Sequence, residues 1–167
     1  MIVDTSISPR AAELVRDLKL SPHPEGGRYR EVFRSRRMVR TDDGRSERWA
    51  ATAIHFLICA GERRGLHRLA SDEVWTWHEG APLELLLVDP SFEMARRVVL
   101  GPTGDGQLPM RVVPAGIWQA ARPLGEYALA GCVVAPGFEL SDLRLLVREE
   151  ASVTAFRARH PDLASWL

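Results

Sequence analysis

Short runs rich in hydrophobic residues recur through most of this chain, several of them with apolar and polar positions that alternate, and glycine and proline separate the runs. Apolar and polar positions that alternate in this way predict β-strands with one buried face. The predicted strands lie at 28–34, 50–60, 73–78, 82–89, 96–100, 110–116, 118–123, 126–135 and 143–149. Short strands at such regular spacing favour an antiparallel sandwich or barrel.

The two ends of the chain have a helical pattern instead. Ser8 and Pro9 form a helix-start signal, a capping hydroxyl before a proline at the first helical position. Apolar residues at helical spacing follow them, so we predict an amphipathic helix over 9–19. Residues 151–167 are predicted to form one or two short helices. We expect a single domain over 1–167, with its β-barrel at 28–149.

The stretch EVWTWH, residues 73–78, brings acidic and aromatic side chains together. Glu73, Trp75 and Trp77 fall on one face of the predicted strand, and His78 falls on the other. His67 precedes Glu73 by a turn-sized interval, so we expect it on the neighbouring strand, facing Glu73. One imidazole, one carboxylate and aromatic walls on the concave face of a small barrel predict a binding pocket.

Two further expectations concern strand pairing and side-chain direction. A hairpin is predicted between 73–78 and 82–89, which a Gly-Ala-Pro segment separates. In the first predicted strand, alternation places Tyr29, Glu31 and Phe33 on one face.

Composition narrows the classes of function. Hydrophobic residues make up 46% of the 167 residues, and 22 basic residues balance 22 acidic ones. Because there is no basic surplus, nucleic acid is not expected as a partner. The apolar runs are too short to span a bilayer, and the N-terminus has no apolar core typical of a secretory signal, so no membrane partner is expected. The two cysteines, Cys59 and Cys132, lie in apolar strands, which favours buried reduced thiols and a cytoplasmic location.

Longer motifs resemble a known family. Gly61-x5-His67-x-Leu69-x3-Glu73-x6-Gly80 resembles the first cupin motif, and VVPAGIWQ (112–119) is similar to the second. Three phrases, HPEGGRYRE (23–31), HRLASDEVWTWHEGAPLEL (67–85) and GCVVAPGFE (131–139), resemble the DUF985 or "cupin 5" family, over about residues 14–149. The resemblance implies an all-β fold with minor flanking helices, a double-stranded β-helix or jelly-roll barrel, that is usually a homodimer.

The chain departs from the family pattern at the metal ligands. The resemblance implies three histidines and a glutamate in a metal-binding cupin, but Leu69 and Gln119 stand at two of the histidine positions. Since an amide is a weak ligand for a transition metal, we expect no tightly bound metal cofactor. If a divalent metal does bind, its ligands would be His67, Glu73 and Gln119.

The predicted pocket therefore supports metal-free acid–base chemistry. Its predicted catalytic residues are His67 as base or polariser, Glu73 as its orienting partner and Tyr29 as proton donor. Gln119 would donate a hydrogen bond to a substrate oxygen. The predicted ligand-binding residues are Trp75, Gln119, Glu31, Trp77 and Trp118.

Three functions remain open on the sequence. The first is a small-molecule isomerase or epimerase that acts on a sugar- or acid-like metabolite. Some metal-free cupins are sugar-nucleotide epimerases with a histidine base and a tyrosine acid, and this comparison holds for the superfamily alone. The second is a metabolite-binding module without chemistry, and the third is a metal-dependent oxygenase or hydrolase.

Overall fold

A computed structural model describes residues 7–167. Residues 1–6, part of the N-terminal stretch that we interpret as lacking a secretory signal, lie outside the described residues. The α-helices are α1 (Pro9–Asp17) and α2 (Glu150–Arg159), and short 3₁₀ helices span Leu140–Asp142, Leu146–Arg148 and Pro161–Trp166. The strands are β1 (Ser21–Pro22), β2 (Arg28–Arg34), β3 (Met38–Val39), β4 (Arg48–Trp49), β5 (Thr52–Cys59), β6 (Arg64–Leu69), β7 (Asp72–Gly80), β8 (Leu83–Val88), β9 (Ala95–Leu100), β10 (Met110–Val113), β11 (Trp118–Pro123), β12 (Tyr127–Ala135) and β13 (Leu143–Leu145).

The strands form two facing antiparallel sheets, which confirms the predicted all-β class. The six-stranded sheet has the order β1-β2-β5-β12-β7-β10, and the five-stranded sheet has the order β13-β6-β11-β8-β9. A two-stranded ribbon of β3 and β4 lies beside them. The apolar core between the sheets draws on both, as the contacts among Phe56, Trp75 and Leu85 show. Sequence-distant strands are therefore neighbours, as in a jelly roll.

The helices cover parts of the outer faces of both sheets. Ser8 caps α1, accepting a hydrogen bond from the backbone N–H of Ala11, and α1 packs its apolar side on Leu57 and Leu129 of the six-stranded sheet. The C-terminal helices pack on the five-stranded sheet, where Phe156 is fully buried. Strand β8 is buried along its whole length, because one face meets the core and the other meets these helices.

The predicted hairpin between 73–78 and 82–89 is wrong. Strand β7 pairs with β10 and β12 in the six-stranded sheet, whereas β8 pairs with β9 and β11 in the other. The short connection crosses from one sheet to the other. A Gly-Ala-Pro segment is compatible with a hairpin and with such a corner, so the residue pattern alone does not distinguish them.

The predicted face of β2 also needs one correction. Its pairing with β5 shifts between Glu31 and Phe33, where Val32 forms a bulge. A bulge inserts one residue and reverses the alternation beyond it. Tyr29 and Glu31 therefore face the interior as predicted, but Arg34 joins them and Phe33 points outward, 54% exposed.

Across residues 7–167, the helices fall short of the length and hydrophobicity needed to cross a bilayer.

Candidate functional site

A cavity of about 210 Å³ opens between the two sheets, beside β2, β5, β7 and β12. Its walls combine charged, aromatic and apolar side chains. The lining residues are His23, Tyr29, Glu31, Arg34, Thr52, Ile54, Arg64, Leu69, Glu73, Cys132, Val134 and Phe138. A cavity of about 150 Å³ can hold benzene, so this one has room for a ligand of roughly eight to ten non-hydrogen atoms.

The predicted site residues divide into three groups. Tyr29, Glu31 and Glu73 line the cavity. His67, Trp75 and Gln119 are fully buried and lie outside the set of lining residues. Trp77 and Trp118 lie outside the cavity.

Neither of these two tryptophans meets the cavity. Trp118 belongs to the outer cluster under the C-terminal helices, where its ring stacks on Phe92 with centroids 6.3 Å apart. It precedes the inward-facing Gln119 on β11, so alternation sends it outward. Trp77 packs against the barrel core and donates from its indole nitrogen to the Ala81 carbonyl oxygen at 3.1 Å.

Glu73 is held by a hydrogen-bond relay that crosses the barrel. The Trp75 indole N–H donates to Gln119 Oε1 at 2.9 Å, and Gln119 Nε2 donates to Glu73 Oε2 at 2.6 Å. The sequence-based role of Gln119, a donor to substrate, changes accordingly. Both functional atoms of its amide are engaged within the protein, so it orients Glu73.

Arg64 occupies the floor of the cavity and was not predicted from the sequence. Its side chain is only 4% exposed and lies over the rings of Phe56 and Trp75, 5.2 and 5.7 Å from their centroids. The guanidinium Nε lies 3.6 Å from Glu25 Oε2, and Nη1 lies 3.9 Å from Glu73 Oε1. These distances allow charge attraction but exceed hydrogen-bond length, and Nε and Nη1 have no hydrogen-bond partner.

Glu25 is the second missed residue, and it lies beside Arg64 just outside the set of lining residues. It was interpreted as part of a turn, and the turn does exist: Gly26 has φ of +98°, and a Cβ there would overlap the carbonyl oxygen of Arg63. This close approach presses the loop onto the start of β6 and buries the Glu25 carboxyl beside Arg64. Burial raises the pKa of Glu25, against the opposing attraction of Arg64.

His67 is completely buried behind this floor. Its Nδ1 lies 2.9 Å from the Gly65 carbonyl oxygen and 4.0 Å from Glu25 Oε2, and its Nε2 has no hydrogen-bond partner. Burial, and then the charge of Arg64, hold the pKa of His67 well below its ordinary value. The ring is therefore neutral at pH 7, with Nδ1–H donating to Gly65 and Nε2 as a bare acceptor.

The mouth of the cavity carries its own charged group. Arg34 donates two hydrogen bonds to the Glu31 carboxylate, at 2.7 and 2.9 Å, and a longer one of 3.3 Å to Glu139. The ring of His23 stands edge-on to Tyr29, with centroids 4.8 Å apart. Burial, followed by the charge of Arg64, lowers the pKa of His23 to about 4.

Cys132 completes the polar lining. Burial, and then the neighbouring Glu73, raise the pKa of its thiol well above the ordinary value. It therefore stays protonated at neutral pH and is a poor nucleophile.

Comparison with known proteins agrees with this architecture. The family model described as "Cupin superfamily (DUF985)" matches residues 12–146. The chain belongs to this cupin family. The predicted family and the predicted jelly-roll fold are both confirmed.

Two solved structures are similar to this cupin over nearly their whole length. A hypothetical protein from Leishmania major is 30% identical, with a TM-score of 0.80 over 92% of this chain and 93% of the other. A protein from Shewanella oneidensis is also 30% identical, with a TM-score of 0.80 over 93% and 94%. Oxalate decarboxylase from Bacillus subtilis is 15% identical, with a TM-score of 0.57 over 87% of this chain and 36% of that one, and shares the fold alone. Among curated proteins, none matches.

The metal site common in cupins does not fit the residues of this member. Within residues 7–167, no three His, Cys, Asp or Glu side chains are grouped so that they could hold an ion. Leu69 contributes an apolar wall, and both polar atoms of the Gln119 amide are hydrogen-bonded to protein partners. The positive charge of Arg64 also lies near Glu73. A guanidinium beside the one acidic ligand would repel a divalent cation.

The residues that were not predicted differ in how far the sequence indicates them. Glu25 lies within HPEGGRYRE, a phrase that resembles the family, and this signal could have identified it as a candidate site residue. Arg64 carries no such signal, because it stands at an unspecified position between Gly61 and His67 of the first motif. Arg34 was hidden by the bulge in β2, which the pattern of residues does not show.

Proposed function

We propose that this cupin binds a small polar metabolite in the cavity and catalyses a metal-free proton transfer of isomerase or epimerase type. The observation that supports this most directly is the setting of Glu73. Its carboxylate lines the cavity while Gln119 fixes one of its oxygens at 2.6 Å. A carboxylate held in one orientation beside bound substrate is suited to act as a general base.

The roles differ from those expected on the sequence. Glu73 is the proposed base, because His67 is enclosed and lies outside the cavity lining. His67 is proposed to position Glu25 and Arg64 from behind. Tyr29 keeps the proposed role of proton donor, since its side chain lines the cavity from strand β2.

The proposal is tested by incorporation of deuterium from solvent. Purified protein is incubated in D₂O with a fractionated metabolite extract, and mass spectrometry identifies compounds that gain deuterium. The wild type is compared with Glu73→Gln and with the control Glu79→Gln. Glu79 lies on the same strand but pairs outside the cavity, with Arg10 at 2.7 Å and Tyr127 at 2.8 Å.

The outcomes separate the candidate functions. We expect labelling with the wild type and Glu79→Gln and none with Glu73→Gln. Equal labelling by Glu73→Gln would contradict the proposed base. A metabolite that co-purifies and raises the melting temperature, without any labelling, would instead support the binding module.

A homodimer is part of the proposal, and the outer face of the six-stranded sheet supports it. Five apolar side chains on five adjacent strands lie directly opposite one another there, and we call them the apolar row: Phe33, Ala53, Val133, Val74 and Val112. Phe33 and Val112 are more than half exposed, and Val133 is 38% exposed. An uncharged row of this kind is self-complementary across a two-fold axis.

A cytoplasmic location also remains a proposal. Cys59 and Cys132 are both buried and lie outside any disulfide among the described residues. Buried thiols are typical of proteins from reducing compartments. Fractionation of cells that express the protein would test this.

A further inference from the structure

Four buried polar atoms without a hydrogen-bond partner belong to three neighbouring residues: Arg64, which lines the cavity, and Glu25 and His67, which lie behind it. They are Glu25 Oε2, Arg64 Nε, Arg64 Nη1 and His67 Nε2. Glu25 Oε2 lies 3.6 Å from Arg64 Nε and 4.0 Å from His67 Nδ1, which shows that the three side chains meet. Native proteins leave few such atoms unsatisfied. A group of four therefore indicates a site where a bound polar molecule supplies the missing hydrogen-bond partners.

The donor or acceptor character of these atoms specifies which hydrogen-bonding groups the bound molecule carries. Arg64 presents two N–H donors, which require an acceptor oxygen. Glu25 Oε2 presents an acceptor beside them, which a hydroxyl hydrogen satisfies. An acceptor oxygen and a hydroxyl group that lie a few ångströms apart are found together on the adjacent carbons of a hydroxy-carbonyl compound.

The charges around the cavity favour a neutral molecule. On the floor, the charge of Arg64 is balanced by Glu73 at 3.9 Å. At the mouth, Arg34 is occupied by Glu31 and Glu139. An acid would bring its negative charge close to these carboxylates without meeting an uncompensated cation. Burial also raises the pKa of Glu25, which shifts that carboxyl towards its neutral form.

We propose that the cavity takes a neutral, sugar-like hydroxy-carbonyl compound whose carbonyl oxygen accepts from Arg64 and whose adjacent hydroxyl donates to Glu25. This rests on the proposed function and names its substrate class. The ligand is of the size that the cavity admits, roughly eight to ten non-hydrogen atoms.

The binding mode gives Arg64 a part in the reaction. Glu73 removes the proton from the carbon that carries the hydroxyl, and the electron pair of that C–H bond forms a C=C bond. The carbonyl π electrons move to the oxygen, and Arg64 stabilises the negative charge there. Transfer of a proton from Tyr29 to the same carbon on its other face gives the epimer, after which Glu73 releases its proton to solvent and Tyr29 takes one up. Return of the proton from Glu73 to the former carbonyl carbon, while the hydroxyl proton passes through Glu25 to the other oxygen, gives the isomer. Neither route needs an oxidant or a reductant.

Three five-carbon probes test the proposed class. D-ribulose, ribitol and D-ribonate share a hydroxylated chain and differ in bearing a ketone, hydroxyls alone or a carboxylate. Isothermal titration of the wild-type protein is expected to show D-ribulose binding at least tenfold more tightly than either of the others. Binding of D-ribonate as tightly as D-ribulose, or binding of none of the three, overturns the proposal.

Variants of two arginines on β6 locate the binding. Arg64→Met keeps an unbranched stem over Phe56 and Trp75 but removes the donors, and it is expected to weaken D-ribulose binding at least tenfold. Arg68→Met is the matched control. Arg68 also lies over an indole ring, 4.5 Å from the Trp118 centroid, on the outer side of the sheet. Unchanged D-ribulose binding by a folded Arg64→Met overturns the proposal, and so does equal weakening by both variants.

Two further outcomes are also decisive: a variant that does not fold, and a disagreement between labelling and binding. If Arg64→Met does not fold by circular dichroism, the order of the three probes on the wild type decides, with Arg64→Lys as a partial rescue. Deuterium labelling that depends on Glu73 in the extract, together with no preference for D-ribulose, rejects the substrate class and leaves the proposed function standing. A preference for D-ribulose without any labelling rejects the proton transfer alone.

Discussion

The side-chain amide of Gln119 donates to the Glu73 carboxylate at 2.6 Å and ties together strands from opposite sheets. Its orientation is determined by Trp75, because an indole nitrogen can only donate and so requires the amide oxygen on its side. The nitrogen of the amide must then face Glu73. The relay thus has a single arrangement, and it holds the candidate base in place.

Replacing Gln119 with methionine should destabilise the protein by about 2–4 kcal/mol, since Trp75 Nε1 and Glu73 Oε2 lose their partner in the interior. Urea denaturation measures this free energy of unfolding. Gln107→Met is the control, because Gln107 Oε1 has no hydrogen-bond partner to lose, and it should cost less than about 1 kcal/mol. Similar losses for both variants would contradict the stabilising role of the relay.

Strand alternation predicted the site where the strands are regular. On β7 it placed Glu73 and Trp75 together in the interior, and the structure has them there. The same rule, applied to β11, places Trp118 opposite to Gln119, so its assignment to the pocket contradicted the pattern. Phe33 is a different case. The bulge in β2 reverses the alternation, and bulges depend on pairing with a neighbour that the chain's own periodicity does not reveal.

The floor of the site could not be predicted in the same way. Arg64 and Glu25 are 39 positions apart, and the loop that carries Glu25 packs on β6 through the close approach of Gly26 to Arg63. Contacts of this kind arise from tertiary packing. The family motifs predicted the barrel reliably because they span most of the strands, but they could not identify a cation in place of a metal.

Tyr29→Phe should reduce deuterium labelling about 100-fold if Tyr29 is the proton donor, the usual size of a general-acid contribution. The chain has two tyrosines, so Tyr127→Phe is a matched control. Tyr127 donates to Glu79 at 2.8 Å, away from the cavity. We expect labelling by Tyr127→Phe to stay near the wild-type rate. Loss in both variants, or in neither, would remove Tyr29 from the mechanism.

Protein purified without chelator should contain much less than one equivalent of any transition metal by elemental analysis. The physical reason is the donor set: Leu69 and Gln119 replace two ligands, and Arg64 places a fixed positive charge 3.9 Å from Glu73. Treatment with EDTA should also leave the melting temperature unchanged. One equivalent of metal per chain, lost together with stability on chelation, would favour the metal-dependent alternative.

Val133→Glu should convert the proposed homodimer to a monomer in sedimentation equilibrium. Val133 is the middle member of the apolar row, so a charge there would be buried without a partner in the interface. Met94→Glu is the control, because Met94 is 73% exposed in the segment between β8 and β9, outside the apolar row. A wild type that sediments as a monomer, or a Val133→Glu variant that stays dimeric, would reject this interface.

Stability should fall as the pH drops from about 6.5 towards 4, and His23 should account for part of the fall. Its pKa is about 4 in the folded protein, because burial and Arg64 disfavour its charge. Over this range the unfolded chain takes up a proton that the folded protein does not, so unfolding becomes easier. Since the ring is only partly buried, we expect about 1–2 kcal/mol from it.

The variant His23→Gln isolates this contribution. Burial and Arg64 lower the pKa of His67 in the same direction, whereas burial raises the pKa of Glu25 and so opposes the trend above pH 4.5. Both groups remain in the variant, so the difference between wild type and variant removes the part of their contribution that does not depend on His23. Urea denaturation at several pH values from 4.5 to 7 should therefore give a shallower slope for His23→Gln. Parallel slopes would mean that His23 takes up its proton equally in the folded and unfolded states, so that its ring is not shielded beside Tyr29 and Arg64 as the structure places it.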